Sequence, residues 1–161
     1  MTEYKDICDA HAKRIELLKE TSNKLRSECV EFLSKLRGSL NLPSKTYFNL
    51  KSDEVSYLKL VTPFVDTKDA EDTRAHNLRV NDDGVLKFGV SLAVKSYPDD
   101  MYPIRIFTNI EMKLKNDTIS VVIKGAKQGD LNILEEINDP DRYKKSSEAV
   151  KAVIIGAFCE E

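Results

Sequence analysis

The sequence predicts an α+β fold: an antiparallel meander sheet of five or six strands, with a long N-terminal helix and a C-terminal helix packed on one face. Three observations carry this. Three runs between Val85 and Lys124 alternate apolar and polar residues. Ahead of them, Glu3 to Arg37 repeats apolar and small residues at three-four spacing. Behind them, Ala149 to Phe158 holds only one charge, Lys151. Nothing marks a domain boundary, so residues 1–161 are expected to form one domain, with the helix over 3–37, the sheet over 45–124 and C-terminal helices over 131–158.

The first helix has Thr2 as its expected cap and Gly38, followed by Pro43, as its expected stop. Its stripe runs through Cys8, Ile15, Leu18, Ser22, Leu25, Cys29, Phe32 and Leu36, with Tyr4 and His11 filling the seam near the start. Thirty-five residues span roughly 52 Å, whereas a compact chain of this size is ~40 Å across. The polar first half, Tyr4 to Arg14, is therefore expected to project. A homodimer through this helix is the alternative use of the stripe, although Arg14 and Lys19 repel in a parallel pair.

The stretch 39–84 predicts short strands at Lys45–Leu50, Val55–Val61 and Leu78–Val80, with a polar loop from Asp66 to Asp72. Asn81-Asp82-Asp83-Gly84 then turns into the meander, Gly84 taking the left-handed position of a bulged hairpin. In the meander Leu86, Phe88, Val90 and Leu92 alternate with Lys87, Gly89, Ser91 and Ala93. Ile104 to Leu114 alternates with Arg105 to Lys115, and Ile119, Val121 and Ile123 with Ser120, Val122 and Lys124. Period two places one apolar and one polar face on the sheet. Asn116-Asp117 suits a two-residue turn. Asp130 is expected to cap a short helix over Leu131–Ile137, and Asp139-Pro140 to start the last one, buried on several sides and reaching Phe158.

Composition narrows the function classes. A net charge of -2 gives no global field for nucleic acid or membrane. No apolar run approaches a membrane span, Met1 to Lys5 is no signal peptide, and three cysteines, an odd number, argue for free thiols. The expectation is a cytoplasmic protein.

Most catalytic patterns fail on their own chemistry. Cys8 and His11 share a helix face but make half a zinc site, completed only by a second copy. His76 has no companion nucleophile. Gly125 to Gly129 lacks the lysine and hydroxyl of a phosphate loop, and Asp66 to Asp72 lacks the alternating ligands of a calcium loop. Pro98-Asp99-Asp100 followed by Glu111-Met112-Lys113 resembles the PD…ExK signature of a large nuclease superfamily. In that superfamily two carboxylates hold a divalent metal and a lysine helps activate water. Asp100, however, enters the strand that carries Glu111, and eleven extended residues span about 36 Å. A bulge, or a substitute acid such as Asp66, is needed to bring two ligands together.

The remaining feature is the polar face of the meander. It presents Lys87, Lys95, Arg105, Lys113, Lys115 and Lys124 against one acid, Glu111, with Phe107 among them. One aromatic is few for stacking single-stranded nucleic acid. These observations point to a small non-enzymatic protein that binds another macromolecule, most simply a protein, as an inhibitor, adaptor or immunity-type factor. Its expected contacts are Lys87, Lys95, Arg105, Phe107, Glu111, Lys113 and Lys124, with no metal or cofactor. The alternative is a metal-dependent nuclease or nucleic-acid-binding protein using the same face.

Overall fold

A computed structural model describes residues 2–96, 103–125 and 129–158. The elements in chain order are helix α1 (Tyr4–Leu40), strands β1 (Thr46–Phe48), β2 (Glu54–Ser56), β3 (Leu58–Val61), β4 (Val85–Val94), β5 (Ile104–Lys115), β6 (Thr118–Ile123) and β7 (Leu131–Glu136), and helix α2 (Lys144–Gly156). Strands β3-β4-β5-β6-β7 form an antiparallel meander in that order, and β1-β2 form a separate hairpin. The expected α+β architecture, with both helices on one face of the sheet, is what the chain adopts. Helix α1 lies against β4 and β5, and α2 lies beside it against β5, β6 and β7.

The core is the meander's apolar face. Leu86, Phe88, Val90 and Leu92 of β4 meet Ile110 and Met112 of β5 and Ile119, Val121 and Ile123 of β6. Leu25, Cys29, Phe32 and Leu36 close it from α1, and Val150 and Ile154 from α2. Phe32 stands edge-on to Tyr143 at 5.6 Å, packing the helices' junction onto the sheet. From Tyr4 to Leu17 every residue of α1 is exposed and burial begins at Leu18, but Arg14 donates to Asp82 O at 2.7 Å, so the part of the helix that projects lies ahead of Arg14.

Several boundaries differ from expectation, each for a physical reason. Helix α1 runs through Gly38 to Leu40, because Leu40 and Leu42 still pack against the core. Asn41 supplies the left-handed stop at φ 50°, a conformation asparagine tolerates. At the other end the cap is Glu3 rather than Thr2, with Asp6 Oδ2 accepting the Glu3 N–H at 2.9 Å. The run Val55–Val61 breaks at the buried Tyr57, so β2 and β3 belong to different sheets. Tyr57 N–H donates to Lys45 O and its carbonyl accepts from Ala93 N–H.

Leu78–Val80 makes only an isolated bridge to Leu86. Its backbone is held by α1 side chains: Arg26 Nε donates to Leu78 O at 2.6 Å, and Ser22 Oγ accepts from Val80 N–H.

The largest correction is Leu131–Ile137, expected as a helix. It is strand β7, because β6 offers a free edge and Leu131 and Ile133 extend the apolar face. Asp130 caps nothing there and bonds Lys124 at 2.7 Å. The last helix starts at Lys144, not after Pro140. The carboxylate of Glu135 accepts from Tyr143 N–H and Ser146 Oγ–H and fixes that start. Helix α2 buries one face rather than several, with Ile155 exposed, as is Phe158 just beyond its end. The two expected turns are present: Gly84 has φ 77° and Asn116 φ 57°. The centre of the 96–103 loop and of the 125–129 turn lie outside the described residues.

Candidate binding cleft

The polar face of the meander is not an open sheet surface. After β3, Pro63-Phe64-Val65 folds back across it. Asn109 on β5 holds that turn from both sides: its Oδ1 accepts from Phe64 N–H at 3.3 Å and its Nδ2 donates to Phe64 O at 2.6 Å. Phe64 stands edge-on to Phe107 at 5.7 Å. Gly89 lies beneath, where a Cβ would be 2.8 Å from Val61 Cγ2 and 3.0 Å from Phe64 Cε1. The glycine is thus what lets the turn sit this close.

Beside this turn four charges converge from four chain segments. Lys87 and Glu111 are directly opposite in the β4–β5 register, and their charged groups are 3.5 Å apart. Lys124, just past β6, lies 4.0 Å from the other oxygen of Glu111 and 2.7 Å from Asp130. Its hydrogen bond to Asp130 holds the Lys124 ammonium above the usual lysine range, and Glu111 adds to this. The turn and the charges enclose a cleft of about 510 Å³, walled by Pro63, Phe64 and Val65 and rimmed by Lys87, Glu111 and Lys124. Val65 is fully exposed at its mouth.

The seven expected contact residues divide into two groups. Lys87, Glu111 and Lys124 meet at the cleft, with Phe107 behind Phe64 and Lys113 two residues along β5, exposed. Lys95 and Arg105 lie instead under the β1–β2 hairpin. Lys95 stands over the rings of Tyr47 and Tyr57 at 5.0 and 5.4 Å. Arg105 donates to Ser91 Oγ, Tyr47 Oη and the carbonyls of Ser56, Tyr57 and Ser91. A guanidinium so engaged pins the hairpin to the sheet.

The face is also less basic than the sequence implied. Strand β7 brings Glu136, bonded to Thr118, onto it, and Asp130 at the strand's start neutralises Lys124. Pro63, Phe64, Val65 and Asp130 were not among the expected residues. The signal available for them was an apolar triplet after a strand, opposite a lone glycine inside another strand.

The cleft's chemistry suits binding. Among the described residues its lining has no hydroxyl, thiol or imidazole. Glu111 sits between two ammonium groups, so a cation there would have to displace lysines. Among the described residues no three His, Cys, Asp or Glu side chains are grouped to hold a metal. Pro98, Asp99 and Asp100 lie outside the described residues, and Asp66 caps the 67–69 turn through Lys68 N–H. Cys8 and His11 are exposed on the projecting part of α1. No described helix is long and apolar enough to cross a membrane.

No family model matches this chain, and no curated protein or solved structure matches it.

Proposed function

We propose that this protein is a non-enzymatic cytoplasmic factor that binds a protein partner through the cleft beside Phe64, acting as an inhibitor, adaptor or immunity-type protein. One observation carries the reading: a fully exposed Val65 is held on a turn that Asn109 clamps, next to the Lys87–Glu111–Lys124 cluster. A pre-formed apolar step with flanking charges loses little entropy on association and sets the partner's register. An apolar or aromatic anchor fits against Phe64 and Val65, with an acid reaching Lys87 and a base reaching Glu111.

Affinity capture from the native cell, run in parallel with wild type, Val65→Asp and Lys87→Glu, tests this. A protein recovered with wild type and lost with both variants supports the cleft. Equal recovery with all three sinks it. So does metal-dependent cleavage of nucleic acid that Glu111→Ala abolishes, which would establish the nuclease reading instead.

The exposed first half of α1 supports self-association as a second contact. Tyr4, Ile7 and Ile15 are exposed along it, continuing the stripe that forms the core further on. Pairing is antiparallel in this reading, because a parallel pair sets Arg14 against Lys19. Light scattering that gives a monomer mass at high concentration would remove it.

A further inference from the structure

On the helical side of the sheet, away from the cleft, lies a second and smaller cavity of about 170 Å³. It is formed where α1 ends and α2 begins, between Lys35 and Ser39 on one helix and Arg142, Lys144 and Ser147 on the other, with Asp141 also in its lining. We propose that this cavity is a binding site for a phosphate-type oxyanion.

Two independent features point the same way. The first is the direction of α2. It is a thirteen-residue helix, and its N-terminus carries the positive end of the peptide dipoles. Lys144 and Ser147 are three residues apart and share the face turned to the cavity, whereas Ser146 turns to Glu135 on the other side. The carboxylate of Glu135 already occupies that other side, accepting from Tyr143 N–H. The start of α2 therefore holds one anionic group within the fold, and the cavity offers a place for another.

The second feature is Ser147. It is 1% exposed, and its hydroxyl has no hydrogen-bond partner in the structure. Buried polar groups are ordinarily satisfied, so a buried hydroxyl lining a cavity among cations is a donor without its acceptor. Lys35 and Lys144 are the cations available to a ligand. Arg142 is largely committed, its Nε and Nη2 to Glu28 at 3.0 and 3.3 Å and its Nη1 to Asp139 O. Lys35 donates to Pro140 O at 2.9 Å, which holds its ammonium over the loop entering α2. With Arg142 paired to Glu28 from behind and Lys35 4.0 Å from Glu31, Lys144 is the least committed cation of the described lining and Asp141 its one carboxylate. That balance favours a compact oxyanion with several acceptor oxygens over an extended polyanion.

The test is an NMR titration of the folded chain with inorganic phosphate at constant ionic strength, with chloride as the control arm and a phosphoserine peptide as a third. Saturable shifts are expected at the amides of Ser39, Lys144 and Ser147. Affinity should fall at least tenfold in Ser147→Ala and again in Lys144→Gln, whose exposed side chain leaves folding unaffected. Tighter binding of the peptide than of inorganic phosphate would identify a phosphorylated chain as the source. The reverse order would identify the free anion. Shifts scattered over the surface lysines without saturation, or affinity unchanged in both variants, would overturn the site.

Discussion

Replacing Gly89 with alanine probes the contact on which the cleft is built. The added methyl would stand 2.8 Å from Val61 Cγ2 and 3.0 Å from Phe64 Cε1. Carbon atoms in ordinary contact are about 3.5–4.0 Å apart, so a movement of roughly 0.7 Å is required. Val61 has little freedom to supply it. The residue is 1% exposed, its backbone is paired directly with Gly89, and its β-branched side chain is restricted at χ1. Phe64 is half-buried and swings outward more readily. Overpacking of this kind costs about 1–3 kcal/mol. Alanine returns about 0.4–1 kcal/mol by restricting the unfolded chain. The middles of these ranges leave a net loss of about 1.3 kcal/mol, a fall in Tm of about 3–5 °C for a chain of this length. Thermal and urea unfolding read it directly. The double variant Val61→Ala/Gly89→Ala should lose less than the sum of the two single losses, since removing the valine methyls opens the space. A Gly89→Ala protein that melts at or above the wild-type temperature would refute the close approach of the turn.

Three further outcomes follow from the same geometry. Asn41 ends α1 at φ 50°, so Asn41→Ala should cost about 1 kcal/mol in urea unfolding, while Asn41→Gly should be neutral. Burial raises the Cys29 thiol to about 12, above the 9.0 of an unburied thiol. The unfolded chain therefore ionises first, and stability should fall from about pH 9 towards pH 12 at up to ~1.4 kcal/mol per pH unit from this group; Cys29→Ala should flatten that slope, and an unchanged slope would contradict the assignment. Arg105→Met should cost roughly 2 kcal/mol through its lost charge-assisted hydrogen bonds, with faster amide exchange confined to 46–56.

The parts of the fold legible in the sequence were those where pattern and packing agree. The meander strands alternate strictly and bury one face, so β4, β5 and β6 follow from period two. The projecting start of α1 followed from the helix's length and its polar first turns. Strand β7 did not, because Leu131-Asn132-Ile133-Leu134-Glu135-Glu136 fits either period, and the free edge of β6 decides between them. The break at Tyr57 likewise depends on partners distant in sequence, Lys45 and Ala93.

The candidate site shows the same division. Lys87, Glu111 and Lys124 were accessible because strand register brings them together. Arg105 and Lys95 looked equivalent to them in sequence, yet tertiary contacts with Tyr47 and Tyr57 turn both inward to the hairpin. The apolar wall of the cleft depends on a turn crossing the sheet above a glycine, a relation between Phe64 and Gly89 that no local periodicity records.

Hydrogen exchange on the protein with its captured partner locates the contact surface. Slowed exchange is predicted at 63–66 and at the ends of the strands around Lys87, Glu111 and Lys124, with the small cavity between α1 and α2 unchanged. Protection confined to the exposed first half of α1, with 63–66 exchanging as in the free protein, would contradict binding at the cleft.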